Sequence, residues 1–312
     1  DLRSSSPFYF IIVTHDVENI FSANDKDFGK IKGRFIDPIC RITLPDTMAF
    51  RLLGAAMEKK DDPVIRKEWT ETVDDLYDRT HESRNLIKNK AHISGKELQS
   101  ILPIHPYTAL MLKDISAAFG SNQRSMFDFI KNDRGDDIKG FQWYIKNCGP
   151  YDENPLLTID MLWEFFYENG KELLTPDIRA ILDCYPRAAA HKLDRDENRV
   201  LKAVLLLQAI SQRTGNTVEL YIPNDKNLDN AFEGSNFGSS EASRIAHKLV
   251  KDQILFEKPL GAGKTCYSAL TAITDTSAVE KFKPELRTRS TTSLVESGQV
   301  GNAIVLDGAM KL

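Results

Sequence analysis

A long apolar helix, predicted from about Glu197 to Arg213, constrains the fold of this chain more than any other segment. Its apolar side chains recur at helical spacing: Val200, Leu201, Val204, Leu205, Leu206 and Ile210. A helix this rich in apolar residues is stable only where other elements cover it. The elements that follow it in the chain therefore decide how the region folds.

Two shorter helices and a β-hairpin are predicted after the long helix. The first short helix lies near residues 228–232, and Ser239-Ser240-Glu241 is expected to cap the second. The inward-facing positions of that capped helix are Ala242, Ile245, Ala246, Leu249 and Val250. After it, Ile254–Glu257 is expected to pair with Cys266–Ala269 across a glycine turn. Three helices and a hairpin in this order indicate a winged helix over residues 196–272.

The third helix of a winged helix is the element that reads DNA, and here its outer face is basic. Arg244, His247, Lys248 and Lys251 lie on that face, and the hairpin adds Lys264. Such cations can contact the phosphates of double-stranded DNA. Two other interpretations stay open, because a charged helix face is most often only solvated and because winged helices also serve as protein contacts. The net charge of -4 argues against a basic coat over the whole chain but allows a local basic face.

Helical patterns also fill the middle of the chain. Residues 95–132, 159–167 and 176–184 show helical spacing. The Gly- and Pro-rich segment 133–157 is instead expected to be a loop, anchored by Phe141, Trp143 and Tyr144. The chain is therefore expected to be mainly α with minor β.

Three features follow one another along the chain: a buried strand that ends in polar residues, an arginine before a second strand, and an arginine at the start of a helix. The apolar run Phe8–Val13 is typical of a strand buried on both faces of a parallel sheet. It ends in Thr14-His15-Asp16, at the kind of strand end where α/β sheets bind ligands. Gly33-Arg34-Phe35 precedes a second predicted strand, Pro38–Leu44, and much later Gly120-Ser121-Asn122-Gln123-Arg124 opens a helix.

This order resembles the second half of an AAA+ ATPase module. In that family a polar residue called sensor 1 orients the attacking water, an arginine finger reaches the nucleotide of a neighbouring subunit, and the sensor 2 arginine lies in the lid. The resemblance places Thr14 or His15 at sensor 1, Arg34 at the finger and Arg124 at sensor 2. It implies a parent protein that binds ATP and Mg, and a chain made of the tail of an α/β AAA+ core, a helical lid and a winged-helix domain.

Arginine suits these roles for chemical reasons. Phosphoryl transfer spreads negative charge over the transferred oxygens, and fixed guanidinium groups stabilise that charge. Arginine is always charged and can bind two oxygens at once. Each residue taken alone also has a plainer interpretation, as a surface arginine, an ion-pair partner or a histidine at a strand end.

Residues 102–130 also resemble the lid of large P-loop ATPases in bacterial phage-defence loci, the bacteriophage-exclusion type among them. That resemblance implies a DNA-linked ATPase. The expected organisation is an AAA+ core tail, a helical lid, a helical connector, the winged helix and a linker, at residues 1–48, 49–150, 151–195, 196–272 and 273–312 respectively.

No complete P-loop is present, although Gly261-Ala262-Gly263-Lys264-Thr265 looks like part of one. Lys258 occupies the position of the first glycine, Pro259 restricts the backbone, and the following Cys266–Leu270 alternates like a strand. A hairpin turn is expected instead. In the AAA+ order both Walker motifs would precede residue 1, so the chain alone is expected to be inactive and to bind ATP weakly.

The remaining features concern compartment and metals. The cysteines form no close pair and are expected to be reduced thiols of a cytoplasmic protein: Cys40, Cys148, Cys184 and Cys266. No apolar run is long enough to span a membrane. His81-Glu82 begins a zinc-protease motif, but Asn85 replaces the second histidine, so no metal site is predicted. A rival hypothesis for the whole chain is a non-enzymatic winged-helix module of regulator type that binds DNA or protein.

Overall fold

The structure is a computed structural model that describes residues 46–57, 59–118, 126–261 and 264–269. In these residues the fold is mainly helical with one two-stranded sheet, which confirms the prediction of a mainly α fold with minor β. The two strands predicted at residues 8–13 and 38–44 lie outside the described residues, as does the predicted linker at 273–312.

Seven helices form the first part of the described chain: α1 (Asp46–Ala56), α2 (Pro63–Arg79), α3 (His81–Ala91), α4 (Gly95–Ser100), α5 (Pro106–Ala117), α6 (Met126–Lys131) and α7 (Phe141–Asn147). Local sequence sets where several of them begin. The Asp62 side chain caps α2, Ser94 and Glu97 form a reciprocal capping box at α4, and the His105 side chain caps α5. Pro63 and Pro106 occupy the first helical positions, where no backbone donor is needed.

Helix α7 corrects the prediction of an uninterrupted loop over residues 133–157. Gly140 and Gly149 flank it, so the density of glycine and proline concealed a helix of two turns. Phe141 and Tyr144, one helical turn apart, are buried and the half-buried Trp143 packs beside them. The predicted anchoring by these three aromatic residues is therefore confirmed.

The second part begins with irregular turns. Residues predicted as a regular helix at 159–167 form a 3-10 turn (Ile159–Met161) and a π-helical turn (Glu164–Glu168), followed by a 3-10 turn at Lys171–Leu173. The helices that follow are α8 (Pro176–Leu182), α9 (Tyr185–Ala189), α10 (Arg195–Arg213), α11 (Asp225–Ala231) and α12 (Glu241–Lys251), with a 3-10 turn at Glu219–Tyr221 before α11. Most predicted boundaries hold to within a few residues.

A β-hairpin ends the described chain. Strand β1 (Phe256–Gly261) pairs antiparallel with β2 (Lys264–Ser268), and Glu257 lies opposite Tyr267. Just beyond β2, the buried Gln208 side chain holds Ala269 by both its backbone groups: Ala269 N donates to Gln208 Oε1 at 2.8 Å, and Gln208 Nε2 donates to Ala269 O at 3.2 Å. The end of the hairpin is therefore held to α10 by a donor and an acceptor bond, like those that join neighbouring strands.

Helix α10 is the centre of the second part. Thirteen of its 19 residues are buried, and it contacts α8, α9, α11, α12 and β2. The same hydrophobic cluster extends from Phe50 on α1 to Ala269 after β2. The predicted lid, connector and winged-helix segments thus share one core within the described residues.

Arg199 of α10 carries a buried charge that organises the surrounding loops. Its Nε donates to Asp160 Oδ2 at 2.9 Å, and its terminal nitrogens donate to Asn236 Oδ1 at 2.6 Å and Thr158 Oγ1 at 3.3 Å. The Thr158 hydroxyl in turn donates to Asp160 Oδ1 at 2.5 Å. Both charged side chains are more than nine-tenths buried, so each needs the other.

Glu233 and His105 join the two parts of the chain. The two Glu233 carboxylate oxygens accept hydrogen bonds from Glu82 N at 2.8 Å and Ser83 N at 2.7 Å, at the start of α3. His105 Nε2 donates to the Glu233 carbonyl at 3.1 Å, while Nδ1 accepts from Tyr107 N at 3.2 Å. Both ring nitrogens of a neutral imidazole are therefore used, and burial lowers the pKa of His105 to about 3.

The Arg199 network predicts a large loss of stability on substitution. Arg199→Met should lower the free energy of unfolding by about 3–5 kcal/mol, because Asp160 is left as an unpaired buried charge. Arg213→Met, on the same helix, removes only a half-exposed pair with Asp177 and should cost about 1 kcal/mol or less. Urea unfolding followed by circular dichroism measures both. Equal losses for the two variants would contradict the role assigned to Arg199.

His105 predicts an acid dependence of stability. In the unfolded chain a histidine takes up a proton below about pH 6.5, whereas folded His105 stays neutral down to about pH 3. Unfolding is therefore favoured as the pH falls through this window, by up to about 1.4 kcal/mol per pH unit. His105→Asn, which can still cap α5, should show a shallower fall in unfolding free energy between pH 6 and 4. His81→Asn, at an exposed position, should keep the wild-type slope; parallel slopes for all three proteins would refute the prediction.

Candidate nucleic-acid interface

The residues predicted to act on a nucleotide are not among the described residues. Thr14, His15, Arg34 and Arg124 lie in the ranges 1–45 and 119–125. Their roles as sensor 1, finger and sensor 2 stay predictions. The residues predicted to contact DNA, in contrast, are all described.

Packing of helix α12 decides which of its side chains face outward. Its inner face, made of Ala242, Ile245, Ala246 and Leu249, is buried, and the helix lies against α10 and α11. Four of the predicted DNA-contacting residues are exposed on its other face: Arg244, His247, Lys248 and Lys251. The predicted division of α12 into an apolar and a basic face is therefore confirmed.

The start of α12 differs from the predicted serine cap. Ser240 has a left-handed backbone with φ of 58° and makes no side-chain capping bond, since a capping residue uses an extended backbone. Asp229 of α11 takes over this role, because its Oδ1 accepts from Ser243 N at 2.9 Å. Glu241 Oε2 accepts from Gly238 N at 2.8 Å and closes the preceding turn. The cap is thus supplied by tertiary structure, which local sequence spacing does not reveal.

Carboxylates accompany most of the predicted cations. Arg244 lies 3.2 Å from Glu241, and the Lys248 ammonium is bonded to Glu197 of α10, which raises the pKa of Lys248. Lys264 Nζ on β2 lies 3.9 Å from Glu219, which also binds Lys90 of α3 at 2.9 Å. The face therefore carries both signs of charge. The Arg244–Glu241 pair is exposed, and exposed ion pairs contribute about 1 kcal/mol or less, so a phosphate can replace this carboxylate at small cost.

His247 lies at the junction of α12, α11 and the hairpin. Its Nε2 is 3.4 Å from Asp225 Oδ1 and its Nδ1 is 3.5 Å from Glu257 Oε1. Tyr267 of β2 donates its hydroxyl proton to Asp225 and also lies 3.2 Å from His247 Nε2. Burial and the bond to Asp225 raise the pKa of Tyr267. Sequence analysis missed these carboxylates because they lie on other elements and share no spacing with α12.

The hairpin also decides between the two interpretations of residues 261–265, as part of a P-loop or as part of a hairpin. Lys264 and the residues after it form strand β2, paired with β1, and not the helix whose first turn binds phosphate in a P-loop. This agrees with the predicted hairpin.

Two further observations bear on the class of protein. None of the described helices combines the length and apolarity needed to cross a membrane. Burial raises the pKa of the Cys148, Cys184 and Cys266 thiols. Comparisons with protein-family models, curated proteins and solved structures found no match to this chain.

Proposed function

We propose that the chain is part of an ATP-dependent AAA+ ATPase, in which residues 195–269 form a winged-helix module that contacts double-stranded DNA. The observation that carries this proposal is the packing of α10, α11, α12 and the β1–β2 hairpin around one core, with four basic residues on the outer face of α12. Three helices followed by a hairpin are the elements of a winged helix, and α12, the third of these helices, would be its recognition helix.

The hairpin supports this assignment by its attachment. Gln208 holds the residue after β2 against α10, and Tyr267 holds β2 against α11. A wing fixed at both places keeps a constant position beside α12. DNA phosphates that meet α12 would then meet the hairpin in a fixed relation, which is what positioning contacts require.

The ATPase part of the proposal depends on the sequence resemblance. Arg34 and Arg124 would stabilise charge on a triphosphate, with Mg bound to it, and Thr14 or His15 would orient water. Arg34 would act on the nucleotide of a neighbouring subunit. The lid resemblance implies a DNA-linked ATPase, which would act in phage defence or another DNA transaction.

One observation favours a second function, a winged-helix module that binds a protein partner and performs no catalysis. The cations on the outer face of α12 lie beside Glu241 of the same helix, Asp225 of α11 and Glu257 of β1, so the charge of this surface is close to balanced. A protein surface of mixed charge complements such a face well, whereas DNA offers only negative charge.

A DNA titration tests the interface. Arg244→Gln with Lys251→Gln should weaken binding of a short DNA duplex, and the slope of log K against log salt should become smaller by about 0.9 for each phosphate that the variant no longer neutralises. Arg66→Gln with Lys67→Gln, on the exposed face of α2, is the matched control for removal of two positive charges. Fluorescence anisotropy at several salt concentrations measures the slopes. Equal slopes for the two double variants would refute a DNA interface on α12.

Neutralising the carboxylates beside the basic residues of α12 distinguishes DNA binding from protein binding. Glu241→Gln with Glu257→Gln should tighten DNA binding if α12 contacts phosphates, because two like charges are removed from the contact face. A protein partner that pairs with these carboxylates would instead be bound more weakly. Unchanged DNA binding in this variant would leave the phosphate contacts without support and favour the second function.

The finger assignment is tested in a protein that carries Walker motifs together with this chain. Arg34→Ala should reduce ATP hydrolysis by about 10³-fold or more while ATP binding is retained, because the finger acts on the transition state. Lys32→Ala removes a neighbouring cation and should have little effect. Hydrolysis by the Arg34→Ala protein at the wild-type rate would exclude the finger role.

A further inference from the structure

A cleft of about 450 Å³ lies between α7, the turn at residues 159–168 and the first turns of α10. Its volume is in the range of small-ligand sites in proteins. Cations and aromatic rings make up much of its lining, among them Lys139, Trp143, Tyr185, Arg195 and Lys202. The proposed DNA-contacting residues of α12 do not contribute to it.

Most of the charged groups around the cleft are paired. Lys139 Nζ lies 2.9 Å from Glu164, Arg195 lies 2.5 Å from Glu153, and Arg199 is bonded to Asp160. Asp160 uses both oxygens, one for Arg199 and one for the Thr158 hydroxyl. The carboxylate of Asp160 is therefore neutralised within the wall and does not repel an anion.

Lys202 is the exception. Its ammonium lies 5.4 Å from the centre of the Tyr185 ring and 5.9 Å from that of Trp163, and no carboxylate of the described residues lies within ion-pair distance of it. A cation beside aromatic faces is attracted by them but keeps its full charge and its hydrogen-bond donors. Lys202 is thus a positive charge on a buried helix, held at the cleft and, among the described residues, without an anion.

The rings of the cleft are held in place by their polar ends. Trp143 Nε1 donates to Asp136 Oδ1 at 2.9 Å, and the Tyr185 hydroxyl donates to Asn198 Oδ1 at 3.1 Å. Lys139 Nζ lies 5.1 Å from the centre of the Trp143 ring, and Lys202 lies over Tyr185. A planar group can therefore pack against the ring surface that these ammonium groups leave open, at little entropic cost.

We propose that this cleft binds a mononucleotide, with its phosphate on Lys202 and its base against the aromatic rings of Trp143 and Tyr185. A phosphate matches the unneutralised ammonium, and Arg195 and Lys139 lie on the same lining to add weaker attraction. A planar base matches the rings, and the half-exposed Glu164 carboxylate can accept a hydrogen bond from a ribose hydroxyl. A ligand that carries both an anion and a planar ring uses the cleft more fully than either alone.

Binding in this cleft needs neither Walker motifs nor DNA. An open cleft with one unpaired cation should bind a mononucleotide only weakly, because few contacts offset the entropy lost on association. Such weak binding agrees with the expectation that the chain alone does not bind ATP tightly.

Calorimetric titration of residues 1–312 with adenosine monophosphate tests the proposal. Lys202→Met should weaken binding about tenfold or more, because it removes a charge-assisted contact and keeps the apolar stem. Lys171→Met is the matched control, since Lys171 also lies over a ring, 6.0 Å from the centre of Tyr167, but does not line the cleft. This control should bind as the wild type does. Lys202→Arg, which keeps the charge, should retain most of the binding and shows that a loss in Lys202→Met is not a loss of fold.

Titrations with three other ligands, namely adenosine, inorganic phosphate and oligonucleotides, identify what the cleft recognises. Adenosine without phosphate and inorganic phosphate without a ring should each bind several-fold more weakly than the monophosphate. Equal binding of the monophosphate to the wild type and Lys202→Met would overturn the proposal. So would equal affinity for inorganic phosphate, or binding of oligonucleotides with none of mononucleotides, which would make the cleft an anion site or a nucleic-acid groove.

Discussion

The buried guanidinium of Arg199 is the constraint around which the second part of the chain is arranged. A buried charged side chain is tolerated only where it is paired with an opposite charge and hydrogen-bonded. Asp160, Thr158 and Asn236 accept three hydrogen bonds from Arg199 and lie on two separate segments of the chain. These segments are therefore fixed to α10 at one point, and the irregular 3-10 and π turns at residues 159–168 are kept in a single arrangement against the core.

Elements with a strong local signal were predictable from the sequence. The apolar periodicity of α10, the Pro106 start of α5 and the alternation in β2 each depend on residues close together in the chain. Helix α7 was missed because its flanking glycines are also loop residues, and the serine cap of α12 was wrong because Asp229 on another helix supplies the acceptor. Local spacing carries no information on such tertiary partners.

In the candidate interface, too, local periodicity was predictable and tertiary contacts were not. The exposed position of the four basic residues on α12 follows from helical periodicity and was predicted. The carboxylates that accompany them come from α10, α11 and β1 as well as from α12 itself. A basic stripe on one helix therefore becomes a mixed-charge surface in the fold. The cleft beside α7 could not be predicted from sequence patterns either, because its walls come from segments far apart in the chain.

Glu233 has a mechanical consequence. It lies between α11 and α12, yet its carboxylate holds the first backbone donors of α3, and its carbonyl holds His105 at the start of α5. The segment between α11 and α12 is thus bonded to the starts of two helices of the first part through one residue. Movement of the segment between α11 and α12 should therefore displace the starts of α3 and α5 with it.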